Sequence, residues 1–272
     1  METLIQASSS VATSTASAVV PHAEKGISVV LKAEQIGSIF GMPITNSLLM
    51  TWTVVGLLLF FAFFVRNRIS LIPGKLQTAI EWLFTAVLDY MTETLESEKL
   101  ARTFFPLIMT IFLFILVGNE LAFIPGVGSF GLKEGGEIIP LFRAPAADLN
   151  FTLALALISF FVIEVTGVVI LGFYKYSKKY VNFSSPINFV VGLIELLSNV
   201  GRLISFSFRL FGNIFAGEVM ILVAGFFFAY FLPVPLMAFE VFVGFIQAVV
   251  FSMLTLFFIK LSVMEPHGDE SH

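Results

Sequence analysis

The sequence contains no cysteine and only three histidines, His22, His267 and His272, all near its ends. The first absence excludes disulfides, thiol chemistry and cysteine-ligated metals. The second leaves the body of the chain without an imidazole for metal binding or proton transfer. Charge is also scarce: charged residues make up 12% of the 272, against about a quarter in a soluble globular domain. The formal net charge is only −4, and no basic stripe interleaved with aromatics is present to grip a phosphate backbone, which excludes a nucleic-acid binder. Neither a solenoid-type repeat nor the inverted halves of many transporters can be traced. The glycine-rich run GVGSFG at 126–131 reads as a loop, because no strand-to-helix context supports phosphate binding. No nucleophile–base pair marks a hydrolytic site.

What the chain has instead is apolar bulk. Hydrophobic residues are 57% of the total, 33 of them phenylalanine, and the mean hydropathy is +0.96. That leaves too little polar surface to cover a water-facing sphere, so the excess must face lipid. Five apolar regions follow one another: Ser47–Val65, Phe104–Ile124, Phe151–Phe173, Ile187–Leu232 and Leu236–Val263. A bilayer core of about 30 Å needs roughly 20 residues of helix, and each region meets that length. The fourth exceeds one upright span, and Pro233-Val234-Pro235 is expected to stop it. The fold class predicted is an all-α integral membrane protein with about five membrane-embedded helices and a long, tilted C-terminal hairpin.

Basic residues set the expected orientation. Arg66, Arg68, Lys75, Lys99 and Arg102 lie between the first two regions, and Lys175, Lys178 and Lys179 between the third and fourth. Segment 125–150 carries only Lys133 and Arg143. This predicts an outside N-terminus and a cytoplasmic C-terminus. Within Lys75–Leu100, apolar residues recur at three- and four-residue steps among Asp89, Glu93, Glu96 and Glu98, which predicts an amphipathic surface helix. Residues 1–43 include the small-residue run SSSVATSTASAVV and begin Met-Glu without a basic n-region. They are read as an extracytoplasmic lead-in to a membrane domain over 44–264, followed by a cytoplasmic tail over 265–272.

The chemistry lies in the fourth and fifth regions. Glu195, Ser198, Arg202, Ser205, Arg209 and Asn213 are spaced 3, 4, 3, 4 and 4 apart, which makes one polar stripe on a helix. Such a stripe must face protein or water, since a central Arg in lipid costs about 2.5–3.5 kcal/mol or more. Glu218 follows Arg209 by nine residues and points to nearly the opposite face, at about 100° per residue. Glu240 and Gln247, two turns apart, share a face of the fifth region with Gly244 between them. Gly212, Ala216 and Gly217 slim the preceding helix for close packing. Guanidinium keeps its proton, whereas buried carboxyls can titrate. That asymmetry suits a proton path with one fixed positive barrier. Glu120 and Glu164, each alone in its region, read as packing residues.

These segments resemble a known family. SFSFRLFGNIFAGE (205–218) is similar to the signature of subunit a of F-type ATP synthases, the membrane stator beside the rotor ring. PGKLQTAIEW (73–82), the stretch at 145–157, IELLSNVGR (194–202) and FIQAVVFSMLTLFFI (245–259) extend the resemblance over roughly 44 to 263. It implies a proton-translocating stator with two offset half-channels, no cofactor, and no catalysis by the subunit alone. Arg209 matches the arginine that faces the ring's carboxylates. Asn213 and Gln247 match polar positions beside it, and Glu218 matches the acidic residue of the outer half-channel. Glu240 stands where some members carry His. Glu195, Ser205 and Arg202 match positions near the inner half-channel. The implied partners are the c-subunit rotor ring, b-type peripheral stalk subunits, other ATP synthase subunits and the lipid bilayer, in a bacterial plasma membrane. The implied ion is H⁺, with Na⁺ as the alternative. A stand-alone transporter and a structural scaffold, in which the stripe is glue, are the rival readings.

Overall fold

The computed structural model describes residues 33–39, 41–124, 126–127, 131–134, 137–180, 186–228 and 231–263. The 1–32 part of the lead-in and the tail expected over 265–272 lie outside these residues. Five helices are long and apolar enough to cross a membrane: α1 (Asn46–Arg66), α3 (Glu98–Ala122), α4 (Leu149–Leu171), α6 (Pro186–Phe227) and α7 (Pro233–Val263). Two others, α2 (Lys75–Leu95) and α5 (Phe173–Tyr180), connect spans. The all-α membrane class is thus what the chain adopts.

Local chemistry sets the helix starts. Thr45 caps α1 through Leu48 N at 3.3 Å, Ser97 caps α3 through Leu100 N at 3.4 Å, and Asp148 caps α4 through Asn150 N at 2.9 Å. Three expectations are corrected here. The amphipathic helix ends at Leu95, not Leu100, because Glu96 turns left-handed (φ 54°) and Ser97 starts a new helix. The second span therefore begins at Glu98, and Pro106 sits inside it. Pro233 and Pro235 do not merely end a helix: they occupy the first turn of α7, where a missing N–H costs nothing. Two short hairpins were not foreseen, β1 (Gln35–Ile39) with β2 (Met42–Thr45) and β3 (Gly131–Glu134) with β4 (Glu137–Pro140). Of the loop expected at 126–131, Gly131 belongs to the second of them, and 128–130 lie outside the described residues.

The spans form a bundle in which α3 and α4 pack against α6 and α7 around Ile111, Ile115, Leu155, Phe206, Leu210 and Phe251. Met91 and Leu95 of α2 join a second cluster with Ile108, Leu256 and Ile259, while Leu76 and Trp82 stay exposed. Polar pins hold the faces in register. Thr152 and Ser207 hydroxyls meet at 3.2 Å between α4 and α6, and Ser47 donates to Asp148 at 2.9 Å between α1 and the α4 cap. Lys260, near the end of α7, donates to Glu96 at 2.7 Å. That hydrogen bond and the lysine charge hold the Glu96 carboxyl below its ordinary range.

One contact is tight enough to test. A Cβ on Gly167 of α4 would stand 2.2 Å from Tyr176 Cε2 on α5. Gly167→Ala is therefore expected to push α5 away, at about 1–3 kcal/mol of overpacking strain. Thermal inactivation of the membrane-embedded protein should occur at lower temperature; an unchanged midpoint would mean that the ring yields freely.

Candidate functional site

The polar stripe lies on the single helix α6 and divides into two environments with Arg209 between them. Toward the N-terminal end, Glu195 and Arg202 pair at 3.9 Å. Together with Ser198, Phe258 and Leu261 they line an open cavity of about 560 Å³. The Arg202 guanidinium also stacks on the Phe258 ring, 4.6 Å from its centroid. Behind it, Asn199 accepts from Arg202 through its side-chain oxygen and donates to Glu164 at 3.2 Å and to Tyr180 at 2.6 Å. Tyr176 and Tyr180 hydroxyls donate to the same Glu164 Oε2, at 2.8 and 3.2 Å. Burial above all, then its hydrogen bonds to Tyr180 and Glu164, pushes the Tyr176 phenol above its usual range; burial likewise raises Tyr180. Both remain donors at neutral pH. Glu164 is thus a node between helices, in keeping with its packing role.

Arg209 itself is exposed on the outer face of α6 and donates to Ser205 Oγ at 3.3 Å. It makes no ion pair among the described residues. Exposed Ile204 and Phe208 flank it. Asn213, one turn on, is half-buried. Gly212 meets nothing within 4 Å, so the close helix approach expected there does not occur within this chain. Gly212 belongs to the outward face; Gly217 makes the close approach.

Toward the C-terminal end, Glu218 pairs with Arg143 at 3.2 Å, the arginine being only 11% exposed. Glu240 of α7 reaches across to Gly217: a Cβ there would lie 2.3 Å from its Oε2. The fold thus brings the Glu240 carboxyl beside the residue that precedes Glu218. Gly244 then sits against α3, where Asn119 donates to its carbonyl at 3.3 Å and Glu120 Oε1 comes within 3.5 Å of its Cβ position. Glu240 and Gln247 are 4% and 5% exposed. Glu120 Oε1, Glu240 Oε2 and Gln247 Nε2 are buried without hydrogen-bond partners among the described residues. An unpaired buried polar group costs about 1–3 kcal/mol, so each of these three atoms is destabilising as it stands.

Sequence reasoning missed Arg143 and Asn199. Asn199 was within reach, since its spacing of four from Glu195 and three to Arg202 puts it on their face. Arg143 carried no signal beyond being one of two basic residues in a weakly charged loop.

The chain is similar to known proteins over most of its length. A family model described as ATP synthase A chain matches residues 48–260. ATP synthase subunit a of Desulfotalea psychrophila is 36% identical over 226 residues, covering 80% of this chain and 84% of that protein. ATP synthase subunit a 3 of Pelobacter propionicus is 32% identical over 219 residues, 80% of this chain and 87% of that one. The Helicobacter pylori subunit a is 31% identical over 215 residues, with 78% and 87% covered. With its five apolar spans and an outward-facing arginine between two polar clusters, the chain belongs to the ATP synthase subunit a family, a multi-pass, proton-translocating membrane-sector subunit that works within the ATP synthase complex and is no enzyme alone.

Proposed function

We propose that the chain conducts protons through two offset half-channels to and from carboxylates on a rotating c-subunit ring, with Arg209 separating them. The carrying observation is the place of that guanidinium: exposed, with exposed Ile204 and Phe208 near it, and among the described residues bonded only to Ser205, at 3.3 Å. A permanent cation cannot rest in hydrocarbon at that position, so a polar or anionic partner must pass over it. The surrounding Ile204 and Phe208 suit an apolar helix from such a partner. Gly212, with open space around it, lets the partner's backbone come close.

The outer path runs by Glu218, Glu240 and Gln247, and the inner path by the cavity of Glu195 and Arg202. Along α6 the two acids lie roughly 21 Å (Glu195) and 13 Å (Glu218) from Arg209 at ~1.5 Å per residue, so neither path bridges the membrane alone. A proton entering from outside neutralises a ring carboxylate, which can then face lipid without a buried charge. After nearly a full turn the carboxylate meets the inner cavity. There the arginine's charge favours its ionised form and so proton release, and it blocks a direct leak between the paths. Each elementary charge crossing yields about 2.3 kcal/mol per 100 mV. Ser205 orients the guanidinium from one side, and Asn213 stands one turn on from it along α6. The Lys260–Glu96 contact puts the α7 end with the basic loops, which supports a cytoplasmic C-terminus, an outside N-terminus and a plasma-membrane location. The b-type stalk subunits hold this stator against the ring's torque.

The chain's lack of cysteine makes the interface directly testable. Phe208→Cys, combined with a single cysteine on the outer helix of the ring subunit, should form a disulfide on mild oxidation in native membranes. Phe161→Cys, even more exposed and on α4, should not. The reverse pattern would move the ring to another face.

A further inference from the structure

The Glu164 cluster is the densest set of polar contacts in the molecule that the half-channel account leaves unused. Three elements meet in it: α4 supplies Glu164, α5 supplies Tyr176 and Tyr180, and α6 supplies Asn199. The direction of its hydrogen bonds is what matters. Both phenols donate to Glu164 Oε2, at 2.8 and 3.2 Å. One N–H of Asn199 goes to Glu164 Oε1 at 3.2 Å and the other to the Tyr180 oxygen at 2.6 Å. With both its protons committed, the Asn199 amide has one orientation. Its oxygen then points the other way, and there it accepts from Arg202 Nη2.

We infer that Asn199 is a positioning residue for the inner path, clamped by Glu164, Tyr176 and Tyr180 so that its oxygen fixes the Arg202 guanidinium on the wall of the Glu195 cavity. The inference rests on the half-channel reading above. Arginine has a long stem whose freedom must be lost before its charge acts from one place. The partner in the cavity does not supply that restraint, because Glu195 stands at 3.9 Å, a long and partly solvated pair. Phe258 restrains the plane of the guanidinium, 4.6 Å over its ring, but leaves it free to slide. The Asn199 oxygen supplies the missing directional contact. If the cluster were only glue, the tyrosines on Glu164 would complete it, and Asn199 would have no need to present its oxygen to a cation. A cation held still on the wall gives departing protons one fixed potential to cross; a wandering one pairs with Glu195 in some conformers and opens it in others.

The test uses the assembled complex in inverted membrane vesicles, measuring ATP-driven proton pumping per assembled complex. Asn199→Leu is expected to slow pumping about tenfold or more, the scale of one lost hydrogen bond to a charged group. Arg202→Ala is expected to slow it similarly, and the double variant no further, because Asn199 acts through Arg202. Tyr180→Phe, which keeps the ring and removes a clamp contact, should show a smaller loss that Arg202→Ala likewise masks; it carries the comparison if Asn199→Leu prevents assembly. Losses that multiply in the double variant, or that track only the amount of complex, would overturn the positioning role. Arg209→Ala runs in parallel. If it abolishes pumping while the Asn199 and Tyr180 losses multiply, the positioning inference fails and the half-channel reading stands; if it pumps normally, both fall.

Discussion

Arg209→Ala should abolish coupled ATP synthesis while leaving the complex assembled. Assembly should survive because the side chain is exposed within the chain and, among the described residues, donates only to Ser205, at 3.3 Å. The bundle loses little on its removal, within the ±0.5 kcal/mol usual for a surface position. The effect on transport is of another order. A unit charge about 4 Å from a carboxylate is worth about 4 kcal/mol at an effective dielectric of ~20, and each 1.4 kcal/mol is a factor of ten. Losing it removes close to a thousandfold of the bias that makes a ring site give up its proton. It also removes the barrier between the two paths, so passive leak should rise as synthesis falls. Membrane vesicles carrying the variant report both quantities at once. Normal pumping by this variant would end the role assigned to Arg209, and loss of the complex in place of loss of flux would favour the scaffold reading.

The second large effect is expected at Glu218. Glu218→Gln should lower passive proton flux through the membrane sector at least tenfold, and more than Glu120→Gln does. Two structural facts separate these acids. Glu218 is tied to Arg143 at 3.2 Å and adjoins the glycine on which the Glu240 carboxyl rests. Glu120 makes no ion pair among the described residues, and its Oε1 is buried near Gly244. Glutamine cannot carry a proton, yet its carbonyl can still accept from Arg143, so the fold should tolerate the change. Arg143→Ala provides the contrast: removing one partner of this half-buried pair leaves the other charge uncompensated, at a cost below the about 3–5 kcal/mol of a fully buried pair, so it should reduce assembly as well as flux. Flux measured against the amount of assembled complex distinguishes the two variants. A larger loss in Glu120→Gln than in Glu218→Gln would shift the outer path onto α3.

Much of the molecule was legible before any coordinates. The spans, the amphipathic α2 and the 3–4 spacing from Glu195 to Asn213 are local patterns, because helical geometry and the bilayer's thickness act on neighbours in sequence. Where boundaries slipped, the cause was a single backbone event. Glu96 turning left-handed divided what reads as one amphipathic helix, and the two prolines after Leu232 began a helix where they were expected only to end one.

The sequence by itself determined that this chain lives in lipid, how often it crosses, and which helix face carries an arginine that lipid cannot accept. Only the tertiary structure decided who stands beside whom: Arg143 with Glu218, Glu240 against Gly217, Asn199 with Glu164. The physical reason is range. Periodicity and burial preference are fixed by residues a turn or two apart, whereas these contacts join elements tens of residues distant, and they form only where the close packing of α4, α6 and α7 sets the level of one helix against the next.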